Sequence, residues 1–293
     1  MTRHHRIPAL LAVTVLALAG CGSDDTGADQ RPASGSTKDQ QPSGEESPSQ
    51  SSSPAAEQVT VPVYFTGDTP QGTRLYREFR RVDAGDPLGA ALTLAASGQA
   101  LDPDYSTLLP DGTFTTSGDA TVALPDDSWT RRPDGMSESD ALLAVQQLVY
   151  TAQGVLQSRD PITFTDSSGA ATQIFGIASE DGFAAADPIK TLSLVSITTP
   201  EEGATVSGSF TATGVSSSFE ATTPWEVRDA SGKAVVKGSA MAEGWMDKLY
   251  PWQTEVDVSD LAPGDYTFVV QTDDPSGGEG PGPMVDTRSI TVQ

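Results

Sequence analysis

The feature that most constrains this chain is a stretch with nothing to bury. From Gly22 to Gln58 there is no aromatic residue and no Ile, Leu, Val or Met, while Ser, Pro, Gly, Gln and acidic residues dominate. Such a segment cannot offset the entropy of ordering itself, so disorder is expected there. Any hydrophobic core has to be built from residues 59–293. As a flexible coil the stretch would span roughly 35 Å r.m.s., using ~5–6 Å × √n, and residues 21–58 read as a tether.

What precedes the tether is equally distinctive. Arg3 and Arg6 are followed by an apolar run from Ile7 to Ala19, interrupted by Pro8 and Thr14. This is the pattern of a secretory signal peptide over residues 1–20, too short to span a hydrocarbon core of ~30 Å as a helix. It ends in Leu18-Ala19-Gly20-Cys21, which resembles a lipobox, where cleavage leaves Cys21 as the first residue with diacylglycerol on its thiol. Two acyl chains hold where one gives only marginal binding. The expected location is therefore the outer face of the cell membrane, lipid-anchored and extracellular. No later segment approaches the roughly 18 consecutive apolar residues of a spanning helix.

Cleavage also narrows the chemistry. His4 and His5 are the only histidines and Cys21 the only cysteine. The mature chain would hold no histidine and no free thiol, which excludes Ser-His-Asp and Cys-His catalysis and Cys/His zinc sites. No disulfide can form. Carboxylate chemistry, Ser-Lys pairs and oxygen-ligand metals remain. The expectation is a non-enzyme with no catalytic residue, no cofactor and no metal. Loss of Arg3 and Arg6 takes the formal charge from −23 to −25. Nucleic acid is excluded as a partner for want of a basic patch, and so is docking on anionic lipid by charge.

Residues 59–188 read as an α+β domain. Val59, Val61 and Val63 alternate into Tyr64-Phe65, a strand signal, and Arg74–Val82 predicts a second strand. Asp86-Pro87 predicts a capped helix through Leu88, Ala91, Leu92 and Ala95, stopped by Gly98. Thr113–Thr116 and Ala120–Leu124, around Ser117-Gly118-Asp119, predict a hairpin. Ser137-x-x-Asp140 resembles a capping box and opens a helix whose inward face is expected to hold Leu142, Val145, Leu148, Val149 and Ala152. Pro161–Thr165 and Thr172–Phe175, around a Ser167-Ser168-Gly169 turn, are expected as strands. Two helices would lie on a mostly antiparallel sheet.

After Ile189 the helical signals vanish, and residues 189–293 read as an all-β sandwich of about seven strands. Trp252, Thr254, Val256 and Val258 share one face, as do Tyr266, Phe268 and Val270, and Thr223, Trp225 and Val227. Ser231-Gly232 and Pro263-Gly264 supply turns.

These residues also resemble a known pairing of families. Val61-Pro62-Val63-Tyr64-Phe65, the Pro87–Leu94 helix, Leu109-Pro110-Asp111-Gly112-Thr113, Ala123-Leu124 and Gln146-Gln147-Leu148-Val149-Tyr150-Thr151 resemble the GerMN domain of sporulation and germination proteins. Ile197-Thr198-Thr199-Pro200, Gly203-Ala204-Thr205-Val206-Ser207-Gly208, Phe219-Glu220-Ala221-Thr222 before Trp225, and Pro263-Gly264-Asp265-Tyr266-Thr267 resemble Gmad2, the immunoglobulin-like domain found beside it. One departure is an Asp-rich stretch between Gly98 and Leu108. The resemblance implies a non-enzymatic envelope lipoprotein that binds or scaffolds other envelope proteins, such as a sensor kinase or an assembly complex, or self-associates. It brings no catalytic residues to carry over.

Candidate sites are few. Trp225 and Trp252 fit inward strand positions and are expected in the core. Trp245 and Met246, in a glycine-bounded loop, are the candidates for partner binding, since aromatic residues and Met are enriched at interface cores. A loop folded back over the sandwich edge is the plainer reading. Asp273-Asp274 with Glu279, and Asp102-x-Asp104, have oxygen ligands but not the spacing of a known calcium loop, so solvated loops are expected. Glu201-Glu202, and Glu243 with Asp247, are carboxylate pairs by type only. Ser137 with Lys248 and Ser259 with Lys233 have no supporting motif. The alternative to an interaction protein is a glycan-binding cell-wall module or a carboxylate-based wall hydrolase.

Overall fold

A hairpin of two long strands organises the first half of the molecule. The computed structural model describes residues 57–116, 120–274 and 277–293; the signal sequence, Cys21 and nearly all of the expected tether lie outside the described residues. Strands β1 (Gln58–Thr69) and β2 (Gly72–Asp83) pair antiparallel along their full length. Alternation places Val61, Val63 and Phe65 on the buried face of β1, as period-2 patterning requires.

Two helices cover that face. In α1 (Pro87–Ser97) the Asp86 carboxylate accepts from the Gly89 N–H, Pro87 opens the first turn, and Gly98 closes the helix at φ 65°. In α2 (Glu138–Leu156) Ser137 and Asp140 form the reciprocal capping box. The expected inward face needs one correction: Leu142 is 49% exposed, and Ala141 and Ala144 are buried in its stead with Val145, Leu148, Val149 and Ala152. Small residues on that side allow close helix approach, and Leu142 falls on the solvent side of the stripe.

The outer edge of β1 is closed by polar groups. Gln147 Nε2 of α2 donates to Tyr64 O (2.9 Å) and Ala95 O (3.3 Å), and Thr151 Oγ1 accepts from Tyr64 N at 3.1 Å. Further along, Thr66 and Ser106 exchange backbone hydrogen bonds of 2.8 and 2.7 Å. A strand edge that would otherwise be open is thereby satisfied.

A second, smaller sheet joins β3 (Thr115–Thr116), β4 (Thr121–Ala123) and β5 (Thr163–Thr165). The β3–β4 pair is the expected hairpin, whose Ser117–Asp119 turn lies outside the described residues; β4–β5 is parallel. Thr172–Phe175 does not form a strand. Ile174 and Ile177 exchange backbone hydrogen bonds, Phe175 sits at φ 50°, and its ring stacks on Trp129 at 5.3 Å. Burying that ring in the core breaks the extended run.

The helical pattern persists slightly further than expected: a short α3 (Pro188–Thr191), capped by Asp187, leads out of the first half. The sandwich then comprises eight strands, namely β6 (Val195–Thr199), β7 (Ala204–Val206), β8 (Ser209–Ser216), β9 (Thr222–Arg228), β10 (Ala234–Met241), β11 (Tyr250–Asp257), β12 (Gly264–Gln271) and β13 (Val285–Val292). One sheet runs β10-β9-β12-β13-β7 and the other β11-β8-β6. Trp225 and Trp252 are buried, and each lies over a glycine directly opposite on the neighbouring strand, Gly238 and Gly214 respectively. A Cβ at Gly238 would stand 2.3 Å from the Trp225 ring, and one at Gly214 2.4 Å from the Trp252 ring. Only glycine leaves room for the indoles.

Buried apolar residues form two clusters, one between Val61 and Phe183 and one between Val195 and Val292. The described residues nevertheless form one compact unit.

Candidate functional site

The most heavily charged buried region lies where the two cores meet, and it grows from the inward face of β13. Ile290 and Val292 continue the hydrophobic face of that strand, but the two preceding inward positions are Asp286 and Arg288. They face the α+β domain. Arg288 Nη1 lies 2.5 Å from Asp102 Oδ2 and 3.0 Å from Asp286 Oδ1, and Nη2 donates to Ile197 O at 3.1 Å. Asp286 accepts from the Tyr105 hydroxyl and from the Ile197 N–H, each at 2.6 Å. The Arg288 guanidinium also lies 5.5 Å from the Tyr105 ring centroid.

Asp102 is delivered by the Asp-rich loop that departs from the family pattern. Glu78, buried on β2, accepts from the N–H groups of Leu101 and Asp102 at 2.9 Å each. Arg80 pairs with Glu78 at 3.0 Å and donates to Gln99 O at 2.5 Å. The loop is pinned from both sides, and the solvated-loop expectation fails for Asp102, which is 1% exposed.

Two carboxylates share one guanidinium in this dry site. Burial pushes the Asp102 carboxyl up to about 7, against the pull of the Asp104 N–H and of Arg288. Burial likewise raises Asp286, opposed by Arg288 and the Tyr105 hydroxyl. For Arg288 burial works against the charge, but Asp286, Tyr105 and Asp102 outweigh it and hold the group firmly cationic. Burial and the Asp286 charge keep Tyr105 protonated. The cluster is a structural lock between the domains, reinforced by Tyr76 Oη to Val285 O (3.0 Å), Arg74 Nη1 to Ile189 O (3.0 Å) and Ser193 N to Leu75 O (2.9 Å). Sequence reading missed it, although Asp286 and Arg288 in the alternation that leads to Ile290 and Val292 were a usable signal.

The residues singled out beforehand scatter. Trp245 and Met246 lie in the loop between β10 and β11. The Trp245 ring meets Phe219 edge-on at 5.1 Å, and Met246, 69% exposed, has φ 83° with its N–H donating to Ser217 Oγ at 2.9 Å. Phe219 and Met241 are also exposed in this corner, and Glu220 and Ala221 have positive φ. Holding non-glycine residues in that region costs of order 1–3 kcal/mol each.

Several of the remaining candidates have structural partners. Glu202 accepts from Ser289 N at 2.9 Å, and Asp247 accepts from the Tyr250 hydroxyl at 2.8 Å, which keeps its carboxyl low. Ser137 caps α2, while Lys248 Nζ stands 4.8 Å from the Tyr250 ring centroid. Among the described residues, no group of three or more His, Cys, Asp or Glu is arranged to hold a metal ion, and no helix is long and apolar enough to cross a membrane.

The architecture is an α+β domain locked to an immunoglobulin-like sandwich, and a family model matches within each of the two. Residues 62–166 match Germane, described as sporulation and spore germination. Residues 194–279 match Gmad2, the immunoglobulin-like domain of bacterial spore germination. Each half of the chain is thus similar to a germination-associated domain, and neither family is one of known enzymes. No curated protein matches it. Among solved structures, CopC from Methylosinus trichosporium OB3b is 21% identical over 34% of this chain and 93% of that one, at a TM-score of 0.23. An engineered protein is 16% identical over 52% of this chain and 36% of that one, at 0.27. At scores this low neither likeness bears on fold or function.

Proposed function

We propose that this protein is a non-enzymatic lipoprotein, anchored outside the cell membrane through diacylglycerol on Cys21, that binds or scaffolds another cell-envelope protein or a second copy of itself. The observation that carries the reading is the Phe219–Trp245–Met246 corner. Phe219 and Met246 are exposed there beside a half-buried Trp245, and Glu220, Ala221 and Met246 hold positive φ, in a chain with few aromatic residues to spare. Aromatic and Met side chains suit the centre of a protein interface. The domain lock would present that corner at a fixed orientation, and the Cys21 tether would lift it off the membrane.

Crosslinking the full chain in intact membranes tests this. A defined partner or oligomer is expected with the native chain and lost with Trp245→Ala combined with Met246→Glu, while Cys21→Ser releases the protein from the membrane. An uncrosslinked monomer throughout would overturn the scaffold reading. Turnover of isolated wall material by the purified chain would overturn the non-enzymatic one.

A further inference from the structure

A cleft of about 210 Å³ opens between the two domains, lined in part by Lys248 and Leu249 from the loop that also carries Trp245. Leu75, Leu192 and Leu249 supply much of its apolar wall, and its charged lining is entirely cationic: Arg77, Arg159 and Lys248. The chain holds 40 acidic residues against 17 Lys and Arg, so a cleft lined by three cations and no carboxylate runs against the composition. Among the described residues none of the three forms an ion pair. Arg77 rests on the Phe79 ring at 4.7 Å and its Nη2 donates to Thr198 Oγ1 at 3.4 Å, while Lys248 rests on Tyr250. Asp247, beside Lys248, is engaged by the Tyr250 hydroxyl. Asp187, whose charge is felt at Tyr150, caps α3 and pairs with Lys190 at 3.8 Å.

A second, independent observation concerns Ser196, which also lines the cleft. It is 5% exposed, and its Oγ makes no hydrogen bond. A buried hydroxyl left without a partner is costly, and a ligand that accepts its hydrogen bond removes that cost. The geometry points to a binding site for a carboxylate carried on an apolar body. The cations neutralise the carboxylate, Ser196 Oγ donates to a polar oxygen of the ligand, and the leucines enclose the body. Pockets of this kind combine an apolar wall with a few placed polar groups, and Arg suits a carboxylate because its planar fork matches two oxygens. By the measure in which about 10–15 Å³ holds one water, the cleft takes on the order of a dozen heavy atoms. That size matches an acylated apolar amino acid, or the last residue of a peptide.

The probes are N-acetyl-L-leucine, its uncharged amide N-acetyl-L-leucinamide, and a hexapeptide ending in leucine, each titrated against the full chain by calorimetry. The acid is expected to bind, with affinity falling as salt is raised, and the amide at least tenfold more weakly. Arg159→Gln combined with Lys248→Gln, at exposed positions, should weaken the acid about tenfold, and Ser196→Ala should weaken it several-fold. A hexapeptide that binds tenfold tighter than the acid identifies a chain terminus as the source of the carboxylate, and equal affinity identifies a free acid. Absence of binding by both acid and hexapeptide, equal affinity for acid and amide, or no effect of the double substitution would overturn the proposal. None of these outcomes depends on Trp245 or Met246, so the site and the partner-binding reading fail separately.

Discussion

Helix α2 and strand β13 bury polarity in different ways. In the α+β domain the buried polar residues of α2 are neutral: Gln147 and Thr151 hydrogen-bond the backbone of β1, and Gln153 donates to Arg159 O and Asp160 O. In the sandwich the final strand buries full charges, Asp286 and Arg288. The difference lies in what each group faces. A neutral amide or hydroxyl can complete the open edge of a strand, since one or two hydrogen bonds satisfy it. A buried ion needs a counterion and several further bonds, and Arg288 finds them only because the loop around Asp102 arrives from the other domain. Charge marks the junction and neutral polarity marks the interior.

The sharpest way to break this contrast is Arg288→Ala, which leaves Asp102 and Asp286 buried without their shared cation. A loss of about 3–5 kcal/mol is expected, read as a lowered urea midpoint. A midpoint within experimental scatter of the native chain would mean that the junction is not held by charge.

Gln147→Ala tests the neutral interior along α2. It strips Tyr64 O and Ala95 O of a donor inside the core, for an expected loss of about 1–3 kcal/mol, smaller than that of Arg288→Ala. The reverse order would erase the distinction between α2 and the junction.

The subtlest test uses pH. Asp102 is raised by burial from its ordinary value of 3.8 to about 7 in the fold, so between those values the folded state holds more proton than the unfolded. Its contribution is fully present below the unfolded value and is lost as pH rises through about 7, with a slope of at most about 1.4 kcal/mol per pH unit. Asp102→Asn should flatten stability between pH 4 and 7, the window those two values define. A profile for Asp102→Asn that parallels the native one would remove Asp102 as the source. Gln147→Ala should leave the slope unchanged.

Much of the local structure was legible in the residues themselves. Asp86-Pro87 and Gly98 bounded α1, Ser137 and Asp140 opened α2, and alternation located the inward faces of β1, β9, β11 and β12. These signals work because caps, prolines and period-2 patterning act through neighbours in the chain. Leu142 and Thr172–Phe175 misled for the opposite reason. Their local patterns fitted a helix face and a strand, but the close seat of Ala141 and Ala144 and the stacking of Phe175 on Trp129 decided otherwise.

What the chain determined by itself was its element types, its likeness to two domain families and the absence of apolar residues with which to build a core between Gly22 and Gln58. Tertiary structure alone decided the junction. Asp102 and Arg288 are far apart in sequence, and each read singly is an ordinary surface charge. Only the packing of one domain on the other removes water from both, and that desolvation turns two unremarkable residues into a lock. The same packing gathers Arg77, Arg159 and Lys248 around one cleft, because electrostatic partnership is set by distance in space and by the surrounding medium, neither of which the order of residues records.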